Sequence, residues 1–209
     1  MRRTRLLFVL AIAALATAAG VIAQTGGVTA SGWEAREDRD RDISEGLSFA
    51  AMGTGVHANT VRGAGIFWRP ADTHTGNYTI GATFTQMEPS NHPNAVGLFF
   101  GGADLSGDGQ RYSYFVIRED GQFLIKQRAG DQTPDVVRWT SHAAINTLNA
   151  SGRAKNTLSV DVGADQVRFL VNGTEVATQP RSAVDTEGIS GLRVNHFLNV
   201  HIDDLNLGM

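Results

Sequence analysis

Three groupings of side chains in this 209-residue chain have the types and spacing that chemistry needs. In Asp104-Leu105-Ser106-Gly107-Asp108-Gly109, oxygen-bearing side chains fall at every second position before a glycine, as in the first half of a calcium-binding loop. Asp104, Ser106 and Asp108 are its candidate ligands. Position twelve of such a loop is Phe115, where a bidentate carboxylate is needed, and the same letters suit a solvated hairpin tip. In the second grouping Asn199, His201 and Asp203 alternate with Leu198, Val200 and Ile202, so on a strand the three polar residues share one face. With Arg193 and Asn195 from the preceding strand they are expected to line a polar groove across an exposed sheet face, although outer sheet faces are ordinarily polar. The third grouping is aromatic. Trp68, Trp139, Tyr112 and Tyr114 offer planes that match the apolar face of a sugar ring. Trp68, beside Ile66 and Phe67, reads as core, which leaves the two tyrosines as the better binding candidates.

Other chemistries lack their signatures. The six histidines, His57, His74, His92, His142, His196 and His201, show no HExxH or other metal-binding spacing. There is no G-x-S-x-G nucleophile turn, and no spacing of Ser, His and Asp suggests a triad. Asn77-Tyr78-Thr79 and Asn172-Gly173-Thr174 match the N-glycosylation pattern, but turn and strand chemistry explain both.

The elements that must position these residues are strands. Ala95 to Arg128 reads as three antiparallel strands, with Glu119-Asp120-Gly121 as a three-residue hairpin loop whose glycine is left-handed. That loop pairs Ile117 with Phe123 and Phe115 with Ile125, and the turn fixes which side is core because a one-residue slip inverts every side chain. The opposite side then carries Tyr112, Tyr114, Arg118, Lys126 and Arg128, expected to face solvent. Tyr78 to Gln86 alternates cleanly, and Asn172-Gly173 is a strong two-residue hairpin signal, pairing Val171 with Thr174 and Phe169 with Val176. Between Ile43 and Pro70 two or three short strands are expected, the last ending at Pro70. Ala129 to Ser151 reads as irregular, with a short helical turn around Ala143 to Asn146. Roughly a dozen short strands, with turns about every ten residues, predict an all-β, two-sheet antiparallel jelly-roll sandwich.

Composition sets the compartment. Arg2, Arg3 and Arg5 before an apolar run from Leu6 to Ala19, then Val21-Ile22-Ala23, predict a signal peptide over 1–23 cleaved before Gln24. The product is expected to be secreted or periplasmic, with no membrane anchor after cleavage. With no cysteine it has neither a lipoprotein anchor nor disulfides. Removing the leader's three arginines leaves 15 Lys and Arg against 21 Asp and Glu, a balance of −6 that argues against nucleic acid as a partner. Residues 24–42, with the charged run Glu34 to Asp42, are expected to form a flexible arm from which only Trp33 docks, and 43–209 to form the sandwich domain.

The order of GNYTIGATF, AVGLFFGG, RYSYFVIREDGQFLIKQ, NTLSVDVGADQVRFLVNGTEV and GISGLRVNHFLNVHIDDLNL resembles the concanavalin A-like lectin/glucanase superfamily. Within it, the nearest likeness is to the 3-keto-disaccharide hydrolase-like branch, a domain of unknown function. The resemblance implies a curved jelly roll and, as ligand, a carbohydrate. The acidic cluster of the glucanase branch, Glu-x-Asp-x-x-Glu or Glu-x-Asp-x-Glu, is missing, and a retaining glycosidase needs two carboxyls about 5 Å apart. The expectation is therefore a non-catalytic module binding a carbohydrate or other extracellular ligand. Its candidate residues are Tyr112, Tyr114, Arg118, Lys126, Arg193, Asn195, His201 and Asp203, without a cofactor other than the calcium of the Asp104 loop. A glycoside hydrolase, with His201, Asp203 and Glu119 as acid-base candidates, is the alternative, and a structural or surface interaction domain a third.

Overall fold

A computed structural model of the chain describes residues 27–38 and 46–208. The leader, its cleavage site and the charged residues 39–42 lie outside them. In chain order the strands are β1 (Gly27–Val28), β2 (Glu34–Glu37), β3 (Leu47–Met52), β4 (Gly55–Thr60), β5 (Gly65–His74), β6 (Tyr78–Gln86), β7 (Ala95–Ala103) and β8 (Arg111–Arg118). There follow β9 (Gln122–Ala129), β10 (Asp135–Ser141), β11 (Ala154–Val162), β12 (Gln166–Val171), β13 (Thr174–Pro180), β14 (Gly188–Val194) and β15 (Leu198–Asn206). They form an eight-stranded sheet, β1-β3-β4-β15-β6-β11-β12-β13, and a seven-stranded sheet, β10-β9-β8-β7-β14-β5-β2. Apart from the parallel β1–β3 edge, all neighbours are antiparallel. The fold is the jelly-roll sandwich that the strand pattern predicts.

The central hairpin has the expected register, with Phe115 opposite Ile125 and Ile117 opposite Phe123, around Gly121 at φ 82°. These four side chains point between the sheets, where they meet Phe84, Leu158, Phe169 and Ile202 from the other layer. Close packing of such apolar side chains is what holds the two sheets together in a chain with no disulfide.

The other face of the seven-stranded sheet differs from expectation. Tyr112 and Tyr114 do point away from the core, but they are 0% and 6% exposed. Alternation along β8 continues as Tyr112, Tyr114, Val116, the flanking strands add Phe99 and Leu124, and β5 adds Ile66 and Trp68. Leu105 of the β7–β8 loop joins them, so the face is a second apolar layer and not a solvent-facing platform. Trp68 is buried as expected, but in this second layer.

Several local expectations change for identifiable reasons. The described part of the arm belongs to the sandwich: Glu34–Glu37 pairs with β5, because its alternating charges leave Ala35 and Glu37 on one side of an edge strand. Trp33 docks on the core, its ring 5.0 Å from Phe49. Pro70 does not end β5, since it falls where the ladder to β14 is interrupted by a register shift and asks no amide of it. Ala129 to Ser151 contains β10, its Ala143 to Asn146 stretch is a turn without a helix, and the short 3-10 turn Arg181–Ala183 lies further on. The Asn172-Gly173 turn pairs Val171 with Thr174, but a register shift between Phe169 and Leu170 leaves Val176 unpaired and places Phe169 opposite Ala177.

Candidate functional site

At one end of the sandwich the β4–β5 and β14–β15 connections meet the end of β2 and enclose a cleft of about 430 Å³, with His92 of the β6–β7 connection against its rim. Its wall comprises Asp38, Arg62, Arg193, Asn195, His196 and Phe197. The convergence follows from the ladders. Ala95 pairs with Arg118, Gly65 with Val194 and Leu198 with Thr60, so the turns beyond these residues open on the same side. Binding residues on sandwiches commonly sit on loops positioned in this way.

Arg193 is the floor of the cleft. It lies on β14 with its side chain on the second apolar layer and is 6% exposed. Nη1 donates to Asp38 Oδ1 at 3.0 Å and to the Tyr112 hydroxyl at 2.9 Å, Nη2 donates to Asp38 Oδ2, and Cζ stacks 4.7 Å over the Tyr114 ring. A charge at this depth needs such compensation. Burial by itself would raise the pKa of Asp38, but Arg193, with smaller help from Arg128 and Arg36, outweighs it and holds the carboxyl below the usual carboxylate range. Burial pushes the Tyr112 hydroxyl up to about 12, so it stays protonated at any ordinary pH. The constellation is thus a fixed, charge-neutral base and not a reactive centre.

The rim is adaptable where the floor is fixed. Phe197 is 41% exposed and sits at φ 54°, a left-handed backbone that a residue with a Cβ adopts only at a cost. Its edge is flanked by His196 at 5.3 Å and His92 at 6.2 Å between ring centroids. Asn195 Oδ1, buried in the wall, has no hydrogen-bond donor among the described residues. An exposed aromatic plane beside an unmet acceptor and two imidazoles suits a ligand with both apolar faces and hydroxyls. Sequence reading missed Phe197, His92 and His196 because turn residues follow no period. The one available signal was an aromatic in the polar connection Asn195-His196-Phe197 between two strands.

The predicted residues are not brought together as one surface. Arg193 and Asn195 reach the cleft, but His201 and Asp203 stand on the outer face of the eight-stranded sheet, because consecutive strands β14 and β15 belong to different sheets. The expected groove joining them across one face is therefore absent. There His201 Nε2 lies 3.0 Å from Asp203 Oδ1, and His57, its register partner on β4, has its ring 6.0 Å away. Burial, then repulsion from His201, lowers the pKa of His57 against the opposing effect of the Asn199 side chain. Arg118 is held by Asp120 and Gln122 and lies 4.1 Å over Trp139, and Lys126 pairs with Asp135 at 3.1 Å. Glu119 accepts from Gln86 Nε2 and from the Ser90 amide at 3.1 Å, which makes it a clamp on the β6–β7 loop. In the Asp104 loop the carboxylate of Asp104 turns back to accept the Gly109 amide at 3.0 Å, while Asp108 projects into solvent 4.0 Å from Arg36. Ser106 completes that turn, and among the described residues no three His, Asp or Glu side chains gather to hold a metal.

The two antiparallel sheets form a jelly-roll sandwich with a loop-built cleft at one end. The chain is similar in structure to the carbohydrate-binding module CBM66 from Bacillus subtilis, with TM-score 0.61 and 10% identity over 86% of this chain and 97% of that one. A Bacteroides ovatus mixed linkage glucan GH16 solved with its product gives TM-score 0.55 and 11% identity over 81% and 92% of the two chains. A Bacillus subtilis protein of unknown function with a galectin-like fold gives 0.52 and 15% over 83% and 87%. At these identities the likeness is one of fold. No family model and no curated protein sequence matches the chain.

Proposed function

We propose that this protein is a secreted carbohydrate-binding sandwich whose ligand lies in the end cleft, stacked on Phe197 and hydrogen-bonded by Asn195, His196 and Arg62. The observation that carries the reading is Phe197, an exposed aromatic side chain held in a left-handed backbone at the lip of a polar cleft. Backbone strain of this kind persists only where surrounding structure maintains it, and an aromatic plane is the usual partner of a pyranose face. The fold it shares with a carbohydrate-binding module supports the same reading.

Binding without catalysis is the form this takes. β7, β8, β9 and β14, four of the five central strands of the seven-stranded sheet, contain no Asp or Glu, so they supply none of the paired carboxyls of a retaining glycosidase. The carboxylate at the cleft, Asp38, is committed to Arg193. Isothermal titration of the mature chain with soluble polysaccharides, after a glycan-array screen, tests the proposal. Binding that Phe197→Ala and Asn195→Ala each weaken about tenfold or more is the expected result. Absence of any glycan ligand, or wild-type affinity in both variants, overturns it.

A further inference from the structure

His92 and His196 come from connections 104 residues apart and bring their Nε2 atoms to 3.3 Å, with ring centroids 5.1 Å apart and planes at 56°. Two geometries share that nitrogen separation. In a head-on N–H···N hydrogen bond the ring centres, each about 1.2 Å behind its nitrogen, stand about 5.6 Å apart. If both lone pairs instead converge on one tetrahedral ion at about 2.05 Å, an N···N span of about 3.3 Å corresponds to a near-tetrahedral angle and places the centres about 5.2 Å apart. The observed 5.1 Å fits convergence and a bent hydrogen bond alike, and in both the two nitrogens stand at the bite of a tetrahedral ion.

We propose that His92 and His196 form a two-imidazole site for a divalent transition metal ion of the zinc class at the mouth of the end cleft. Neutral imidazole selects zinc, copper or nickel over calcium and magnesium, which prefer oxygen. Among the described residues no third His, Asp or Glu joins the pair, and water or a ligand oxygen can take the positions that protein groups leave open. Arg193, the cation beneath the cleft, is neutralised by Asp38 and does not repel the ion. The site shares His196 with the carbohydrate reading, but its test contains no glycan, so the two can fail separately.

The full mature chain, freed of metal with EDTA and dialysed, is titrated with ZnCl2 alone by calorimetry and by competition with a chromophoric chelator. One equivalent should bind, at least about tenfold more weakly in His92→Gln and in His196→Gln, with His57→Gln unchanged. Zinc should also shift the imidazole nitrogen resonances of His92 and His196 in the wild type, a readout that needs no variant to fold. No binding at millimolar zinc, unshifted resonances, or wild-type affinity in the His92 and His196 variants each overturns the proposal.

Discussion

Arg193 and Asp38 join strands that do not touch: the ion pair runs from β14 over the intervening β5 to the residue that follows β2, with two guanidinium nitrogens on two carboxylate oxygens. The edge strand is thereby tied to the second apolar layer by charge as well as by its ladder. Removing one partner leaves the other's charge in a buried site, which costs more than the pair contributes. Asp38→Ala is expected to destabilise the fold by about 3 kcal/mol, read as the shift of the urea midpoint at constant m. A loss under about 0.5 kcal/mol, the size typical of an ordinary surface substitution, would rule the pair out as a structural tie. The pH dependence follows in sign. Because the folded-state pKa of Asp38 is lowered, its contribution is full above the unfolded value near 3.9 and is lost as pH falls through the folded value. Asp38→Asn should therefore flatten the acid limb of the stability curve.

Gly97 marks where the seven-stranded sheet tolerates no side chain. A Cβ there would stand 2.1 Å from the Phe115 carbonyl oxygen and 2.8 Å from Val116 Cα, both backbone atoms that cannot turn aside. Gly97→Ala should cost about 3 kcal/mol through overpacking. Gly173→Ala, at φ 78° with open space around it, should cost about 1 to 2 kcal/mol from the left-handed backbone alone. Thermal melts of the two variants side by side check the order, and an equal shift would remove the steric argument.

Much of this architecture was legible in the residues. Alternation and the Glu119-Asp120-Gly121 loop were sufficient for the Phe115–Ile125 register, because side-chain period and turn length constrain the same pairing. Alternation could also say that Tyr112 and Tyr114 share a face, but not that Ile66, Trp68 and Phe99 from distant strands surround them there. That requires the sheet order. The same gap separated His201 from Arg193: β14 and β15 are neighbours in sequence but lie in opposite sheets, and Asn195 to Phe197 is the connection that crosses between them. The cleft is made of such connections, whose letters carry turn propensity and little else. Phe197 became visible only when its φ was known.

On the outer face of the eight-stranded sheet, His57 faces His201 and Asn199, with Asp203 beyond His201. Its folded-state pKa is below the ordinary value near 6.5, so the unfolded chain binds its proton first as pH falls. Stability associated with His57 is full above about 6.5 and declines as pH drops toward the folded value. His57→Gln should reduce the fall in melting temperature between pH 7.5 and pH 5, by removing the imidazolium that burial and His201 oppose. Parallel curves for the two proteins would show that His57 takes no part in acid sensitivity.

Phe197 couples stability to binding in opposite directions. Its left-handed backbone costs about 1 to 2 kcal/mol relative to a residue without a Cβ, while its ring, 41% exposed, packs edge-on against His92 and His196. Phe197→Ala removes the ring and keeps the strained backbone, whereas Phe197→Gly removes both, offset by the extra freedom glycine has when unfolded. The glycine variant should therefore be about 1 kcal/mol more stable than the alanine variant in urea titrations, while both lose glycan affinity alike. If alanine proves the more stable, the backbone at 197 is not strained and the turn has no need to hold that ring out. If the two variants differ in affinity as well, the conformation of the turn, and not the aromatic plane alone, is what the ligand reads.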